Sequence, residues 1–403
     1  MGTILVKSQS SVLKHGLVIG AAILFVLCVG EQNKGQVGGR QQAPASQPQG
    51  SDNAGHELVS PHAEEELRSG TELTRRGLFS EAIPHLLAAR GQVSNQYAAE
   101  FNLALCYVGT RQFKQAIDLL KTLSNVSHAS DVENLLAQAY IGNGQTHEAL
   151  AEFQRAAALT PQNEKLYLLV AGACTDHRDY TLGIKVVELG LHSLPQSARL
   201  HYERAVFLAQ IDDLDHAKAD FALASKLASG SDIGYLAAAQ EALLEGNVAE
   251  TVRVARQGVE KNSENHTLLT ILGEALVRSG ASPGQVEFAQ AEAALERAVV
   301  IQPGAASSHL SLGELYLLAG RPADAIVQLQ QAQHIDPGKP GIYANLAKAY
   351  QRRGDEQAAQ QALATLERLN LAQAEQIRSA PGERKTGYGG TSADSLLQPT
   401  PQR

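Results

Sequence analysis

The side chains that could perform catalysis or bind a metal are scattered along the chain. Thirteen histidines are present, but there is no His-Glu-x-x-His pair, phosphate-binding glycine loop or Cys–His constellation. The acidic run Asp212, Asp213 and Asp215 falls at a predicted turn between two helices, which favours a solvated loop over a cation site. The sequence therefore predicts no catalytic residues, no metal site and no cofactor, and we interpret the protein as a non-enzyme.

The three cysteines do not form a recognisable site either. Cys28 lies in an apolar N-terminal run, and Cys106 and Cys174 are 68 residues apart with no partner at metal-ligand spacing. This pattern indicates neither a disulfide framework nor a zinc site. We expect Cys106 and Cys174 to be small buried apolar side chains.

Charge and composition narrow the class of protein further. The chain has 42 acidic and 34 basic residues, a formal charge of -8, so it lacks the basic excess that phosphate binding requires and is not expected to bind nucleic acid. It is 44% hydrophobic but only 5% aromatic, with no tryptophan. A core built from Ala, Leu and Val is typical of closely packed helices.

The N-terminus has the features of an export signal. Lys7 and Lys14 precede the apolar segment GLVIGAAILFVLCVG, residues 16–30, after which polar residues return. The segment is shorter than the roughly 20 residues of a comfortable membrane span. Residues 1–30 are therefore either a cleaved signal peptide or a short N-terminal membrane anchor. Both alternatives predict an exported protein, periplasmic or membrane-anchored and facing away from the cytoplasm.

Two polar stretches flank the middle of the chain. Residues 31–55 have almost no large apolar side chains, so they cannot bury enough surface to offset the entropy of ordering. We predict a disordered linker there and a disordered tail over residues 377–403. The intervening residues 56–376 are left to form the folded part.

That middle part repeats with a period of 34 residues. Small residues recur where two helices would approach closely, large apolar residues surround them, and a proline closes the clearest copies. One copy contains Tyr140, Gly144, Ala149, Phe153, Ala156 and Pro161, and another contains Leu312, Gly313, Tyr316, Gly320, Ala325, Leu329, Ala332 and Pro337, at matching positions. The seventh copy carries about six extra residues around Ser282 to Val286.

This pattern resembles the tetratricopeptide repeat. The resemblance implies an all-α, right-handed superhelical solenoid of about nine helix pairs. Because one helix pair cannot cover its own apolar face, consecutive pairs must stack.

In the resembling family, side chains of each first helix line a groove that holds a protein or peptide. The matching residues give a predicted partner-binding set: Phe101, Leu105, Asn134, Gln138, Tyr202, Gln240, Thr270, Glu274, Glu314 and Lys348. Phe101 and Leu105, with Val108, also suggest an apolar stretch near the N-terminal mouth.

The resemblance implies a non-catalytic scaffold or adaptor that binds a protein or peptide partner at the cell envelope. Membrane association would come through the N-terminal segment. An alternative is an accessory subunit of a polysaccharide or secretion machinery, presenting a polymer to a separate enzyme. The array's few aromatic residues lie mostly at core positions, which gives little support for sugar stacking.

Overall fold

The computed structural model describes residues 59–127 and 129–379. Within these ranges the chain forms eighteen α-helices and no β-strand. The predictions for residues 1–55 and for the tail from residue 380 onward lie outside the described residues.

The helices follow one another in antiparallel pairs, each pair forming one repeat unit. The first nine are α1 Pro61–Arg75, α2 Phe79–Ala89, α3 Gln96–Gly109, α4 Phe113–Val126, α5 Ser130–Gly142, α6 Thr146–Leu159, α7 Glu164–Asp176, α8 Tyr180–Ser193 and α9 Ala198–Gln210. The second nine are α10 Leu214–Leu227, α11 Asp232–Leu244, α12 Val248–Lys261, α13 His266–Arg278, α14 Val286–Ile301, α15 Ala306–Leu318, α16 Pro322–Ile335, α17 Pro340–Arg353 and α18 Glu356–Ser379. Units 1 to 9 are thus α1–α2 through α17–α18.

Each helix packs on the next one along the chain, and each unit packs on its neighbours. The predicted all-α solenoid of about nine helix pairs is therefore confirmed. The extra residues of unit 7 lengthen the connection between α13 and α14, as the sequence predicts. None of the helices in the described ranges is long and apolar enough to span a membrane.

Local sequence signals account for many of the helix ends. Asn95 and Ser197 cap α3 and α9, because their side-chain oxygens accept hydrogen bonds from the backbone N–H groups of Ala98 and Leu200. Proline begins α16 and α17, where its missing N–H costs nothing. The first turns of these helices are therefore determined by residues close to them in the sequence.

The turn between the two helices of a unit requires one residue in the left-handed conformation. Six units place glycine there, as at Gly144 with φ of 76°. Units 2, 4 and 5 instead place Arg111, Arg178 and Asp212, with φ of 60°, 58° and 69°. These three side chains accept a backbone strain that glycine would avoid.

Small residues let the two helices of a unit come together. A Cβ added at Gly273 would lie 2.5 Å from Cγ of Leu295, and one added at Gly313 would lie 2.7 Å from Cγ of Leu329. Both distances are shorter than a normal contact. Glycine at this position therefore lets the leucine of the second helix pack directly on the first.

The core contains Ala, Leu and a few large aromatic rings. Phe153 and Tyr167 are fully buried and meet edge to face, with ring centroids 5.6 Å apart. Cys106 and Cys174 are also fully buried, which confirms their prediction as core residues. Burial raises the pKa of the Cys174 thiol well above its usual value, so the thiol stays protonated at neutral pH.

The buried core divides into two main clusters that meet at unit 6. One extends from Ala63 to Leu244, and the other from Ala239 to Ala362. At the repeat position where other units carry Phe153, Phe221, Leu295 or Leu329, unit 6 carries Ala255. The second helix of unit 6 therefore has a smaller apolar side chain at this position than the second helices of units 5 and 7.

Candidate functional site: the concave face

The first helices of the units form the inner wall of the curved array. Each of them contacts the first helix of the next unit, from α1 with α3 to α15 with α17. Among the second helices of the described ranges, contact of similar extent occurs only between α6 and α8. Because elements on the inside of a curve lie closer together, the first helices face the concave side.

An apolar stripe runs along α3 on this wall, formed by Tyr97, Phe101, Leu105 and Val108. The spacing of four, four and three residues puts all four side chains on one face of the helix. Tyr97 and Phe101 stack with ring centroids 5.9 Å apart and planes 9° apart, and Tyr97 is 39% exposed. The stripe therefore offers a partly exposed apolar surface that includes two predicted residues, Phe101 and Leu105.

In unit 3 the predicted residues Asn134 and Gln138 bond within the array. Both are buried. Nδ2 of Asn134 donates to the carbonyl oxygen of Leu166 at 3.0 Å, and Nε2 of Gln138 donates to Oδ1 of Asn134 at 2.6 Å. The Asn134 amide therefore joins α5 to α7, and Gln138 holds that amide in place from the next turn of α5.

Units 5 and 6 bury polar groups that lack hydrogen bonds. Tyr202 and Gln240 lie side by side, yet the Tyr202 hydroxyl and both amide atoms of Gln240 have no partner of acceptable geometry in the described structure. Burial raises the pKa of the neighbouring Glu203 to about 7, against the opposing charge of Arg199. This part of the wall is polar and enclosed.

In units 7 to 9 a ladder of hydrogen bonds joins consecutive first helices. The hydroxyls of Thr270 and Ser308 are 2.8 Å apart. Ser311 donates to Oε1 of Glu274 at 2.5 Å, and Nδ2 of Asn345 donates to Oε1 of Glu314 at 2.7 Å. We call Glu274 and Glu314 the carboxylate ladder.

A buried lysine faces this ladder. Lys339, just before α17, is 6% exposed, and its Nζ has no hydrogen-bond partner in the described structure. Burial lowers its pKa, while the negative charges of Glu274, Asp336 and Glu314 oppose that shift. Lys339 thus places an ammonium group among three carboxylates without direct contact.

The ten predicted groove residues occupy three kinds of environment. Phe101, Leu105, Glu274 and Glu314 are partly exposed and Lys348 is exposed, whereas Asn134, Gln138, Tyr202, Gln240 and Thr270 are buried. Their role in partner binding stays a prediction. Tyr97 is not among the ten predicted residues, although it lies four residues before Phe101 on the same face. Glu203 and Lys339 are not among them either, because no spacing rule marks their positions.

No metal-binding group was found on the described residues. In residues 59–127 and 129–379, no three His, Cys, Asp or Glu side chains form a group that could hold a metal ion.

Comparison with family models supports the tetratricopeptide repeat family. Two tetratricopeptide repeat models match, one over residues 134–198 and 284–340 and the other over residues 316–380. No curated protein matches the chain. The tetratricopeptide fold is typically a non-catalytic interaction scaffold.

Several solved structures match parts of this chain at low sequence identity. The Cut9–Hcn1 hetero-tetramer of the APC/C is 15% identical, with a TM-score of 0.47, over 80% of this chain and 67% of that one. A tetratricopeptide repeat protein from Parabacteroides merdae is 17% identical, with a TM-score of 0.44, over 72% of this chain and 99% of that one. YrrB, described as a tetratricopeptide protein with an unusual peptide-binding site, is 18% identical, with a TM-score of 0.32, over 48% of this chain and 97% of that one.

Proposed function

We propose that the protein is a non-catalytic scaffold that binds a protein or peptide partner on its concave face, beginning at the apolar stripe of α3. The observation that carries the proposal is the partial exposure of Tyr97, Phe101, Leu105 and Val108 on one face of a first helix. Partly exposed aromatic and aliphatic side chains supply much of the affinity in protein interfaces.

The position of the stripe supports this proposal. It lies on the inner wall, where a partner would contact several units at once and bury a continuous surface. The polar groups of the carboxylate ladder lie further along the same wall. A partner that extends to that region would contact charged groups. Such groups contribute more to selectivity for a partner of complementary charge than to affinity.

Site-specific photo-crosslinking tests the proposal. A benzophenone amino acid replaces Tyr97 on the concave side or, as the control, Val300, which is 76% exposed on the second helix of unit 7. In the cells that produce the chain, we expect a polypeptide to be crosslinked from position 97 and not from position 300, and mass spectrometry then identifies it.

Binding of that purified polypeptide gives the decisive measurement. Leu105→Lys is expected to weaken binding at least tenfold, whereas Val300→Lys leaves it unchanged. Equal crosslinking from both positions, or equal binding by both variants, contradicts the proposal. Circular dichroism of each variant confirms that the array is folded.

We further propose that the array works outside the cytoplasm, at the cell envelope. Support comes from the two lysines and the apolar segment in residues 1–30. Sequencing the N-terminus of the protein after cell fractionation tests this location. An intact N-terminus in the cytoplasmic fraction would contradict it.

A further inference from the structure

One ion pair joins two units that are far apart in the array. Arg178, in the turn between α7 and α8, donates hydrogen bonds from one guanidinium nitrogen to both carboxylate oxygens of Asp336, at 2.7 and 2.9 Å. Asp336 follows α16 in unit 8, so the pair spans 158 residues. The guanidinium group also packs against Gly338, where an added Cβ would lie 3.3 Å from it.

Arg178 reaches this partner from a strained backbone position. Its φ of 58° is left-handed, at the turn where six of the nine units have glycine. The other units show that glycine satisfies the repeat at this place. The arginine therefore adds a long-range contact that the repeat itself does not need.

The buried apolar core is interrupted between the two ends of the pair. Units 4 and 8 enclose unit 6, where the two core clusters meet and where Ala255 replaces a large apolar residue. The Tyr202 hydroxyl and the Gln240 side-chain amide, which have no hydrogen-bond partner of acceptable geometry among the described residues, lie at the junction of units 5 and 6. Separating these helices gives their polar groups access to water, which lowers the cost of bending there.

We propose that Arg178 and Asp336 form a clasp that holds the superhelix closed across units 4 to 8, and that the array opens by bending at unit 6 when the clasp is released. The Arg178 and Asp336 side chains are 41% and 26% exposed. An exposed ion pair is weak and is screened by salt. Both states are therefore populated, and opening gives access to the polar inner wall of units 5 to 7.

Distance measurements between spin labels test the clasp without any partner. The labels are attached to Lys185→Cys on α8 and Gln331→Cys on α16, both exposed. The full-length chain carries Cys28→Ser, and the buried Cys106 and Cys174 are not labelled. At low salt we expect one dominant short distance, and at 1 M salt at least a threefold larger fraction of a longer one.

Two glycine variants separate the clasp from relief of backbone strain. Arg178→Gly removes both the strain and the ion pair, and we expect it to raise the long-distance fraction at least threefold at low salt. Asp212→Gly relieves the same kind of strain in unit 5 and should leave the distances unchanged. Equal distance distributions for Arg178→Gly and the unmodified labelled chain would overturn the proposal.

A charge exchange provides a second, independent readout. Asp tolerates the left-handed turn, as Asp212 shows, so Arg178→Asp is compatible with folding. We expect this single variant to open the array and the double variant Arg178→Asp with Asp336→Arg to restore the short distance. Failure of the double variant to restore it, with the helical content of both variants unchanged, also overturns the clasp.

Discussion

The concave wall differs in chemistry between unit 2 and units 7 to 9, although the helices there occupy the same places in the repeat. In α3 the two predicted groove positions carry Phe101 and Leu105, which extend an apolar stripe. In α13 the same positions carry Thr270 and Glu274, whose side chains join hydrogen-bonded links to the next unit. The repeat position thus determines where a side chain lies. The residue type at that position determines whether the side chain is available to a partner or forms hydrogen bonds between neighbouring units.

This difference separates two contributions to recognition. An apolar surface such as the stripe contributes affinity that changes little with salt. A charged surface such as the carboxylate ladder contributes selectivity that salt weakens. Comparing variants at matched repeat positions shows whether the two regions differ only on their surfaces or also in their packing.

The largest expected change in the free energy of unfolding comes from the core packing that both regions share. Leu120 in α4 and Leu329 in α16 occupy equivalent positions and are fully buried. Replacing either one by alanine should lower the free energy of unfolding by about 2–5 kcal/mol, because each leaves a cavity. Urea unfolding followed by circular dichroism measures both variants. Costs that differ by more than about 2 kcal/mol would show that the two regions also differ in packing.

The next effect is the contribution of Glu274, in the carboxylate ladder, to the pH dependence of stability. Burial raises the pKa of Glu274 to about 7 from an ordinary 4.5; Ser311, Arg278 and Lys339 oppose the shift, and Glu314 adds to it. Between these pH values the folded state keeps a proton that the unfolded state loses. Stability therefore falls as pH rises from 4.5 to about 7, by roughly 1–3 kcal/mol.

Glu274→Gln should reduce this slope, as measured by urea unfolding at pH 5, 6, 7 and 8. Leu105→Gln, at the equivalent repeat position in α3, is the matched control and should leave the slope unchanged. A slope that persists in full after Glu274→Gln would contradict the assignment.

A smaller effect distinguishes two asparagines at the same repeat position. Nδ2 of Asn345 donates to Glu314 in the preceding unit and to the carbonyl oxygen of Gly341, whereas Nδ2 of Asn102 donates to the carbonyl oxygen of Ala98 in its own helix. Asn345→Ala should cost about 1–2 kcal/mol because it leaves a carboxylate without this partner. Asn102→Ala should cost less than about 1 kcal/mol. Thermal unfolding compares them, and equal costs would show that the link to Glu314 adds no stability.

The smallest effect on stability is expected at the stripe itself. Tyr97→Ala removes one ring of the Tyr97–Phe101 stack and should lower stability by only about 0.5 kcal/mol, because the tyrosine is half exposed. The same variant should weaken binding of the crosslinked partner at least fivefold. A large loss of stability with unchanged binding would mean that the stripe belongs to the core instead of the interface.

The sequence was sufficient to predict the repeat, the pairing of helices and the longer connection in unit 7. These features depend on contacts within a unit or between neighbouring units, such as Gly313 against Leu329. Residues that recur every 34 positions occupy equivalent places in these contacts, so the period predicts the contacts directly. The apolar stretch of Phe101 and Leu105 followed from the same register.

Contacts between distant units could not be predicted in this way. The Arg178–Asp336 pair depends on the small rotation that each unit adds, summed from unit 4 to unit 8. Burial of Tyr202 and Gln240 depends on how closely α9 approaches α11. The repeat position predicts that a residue faces the concave side, but it does not predict how exposed the side chain is between neighbouring first helices.

The close fit of Gly313 against Leu329 also bears on the size of partner that the superhelix can encircle. The distance between the helices of a pair influences the angle that the pair adds to the coil, and nine such angles accumulate. A bulkier residue at the glycine position spreads the pair and changes the radius of curvature. One small side chain per repeat therefore helps to determine the diameter of the space inside the coil.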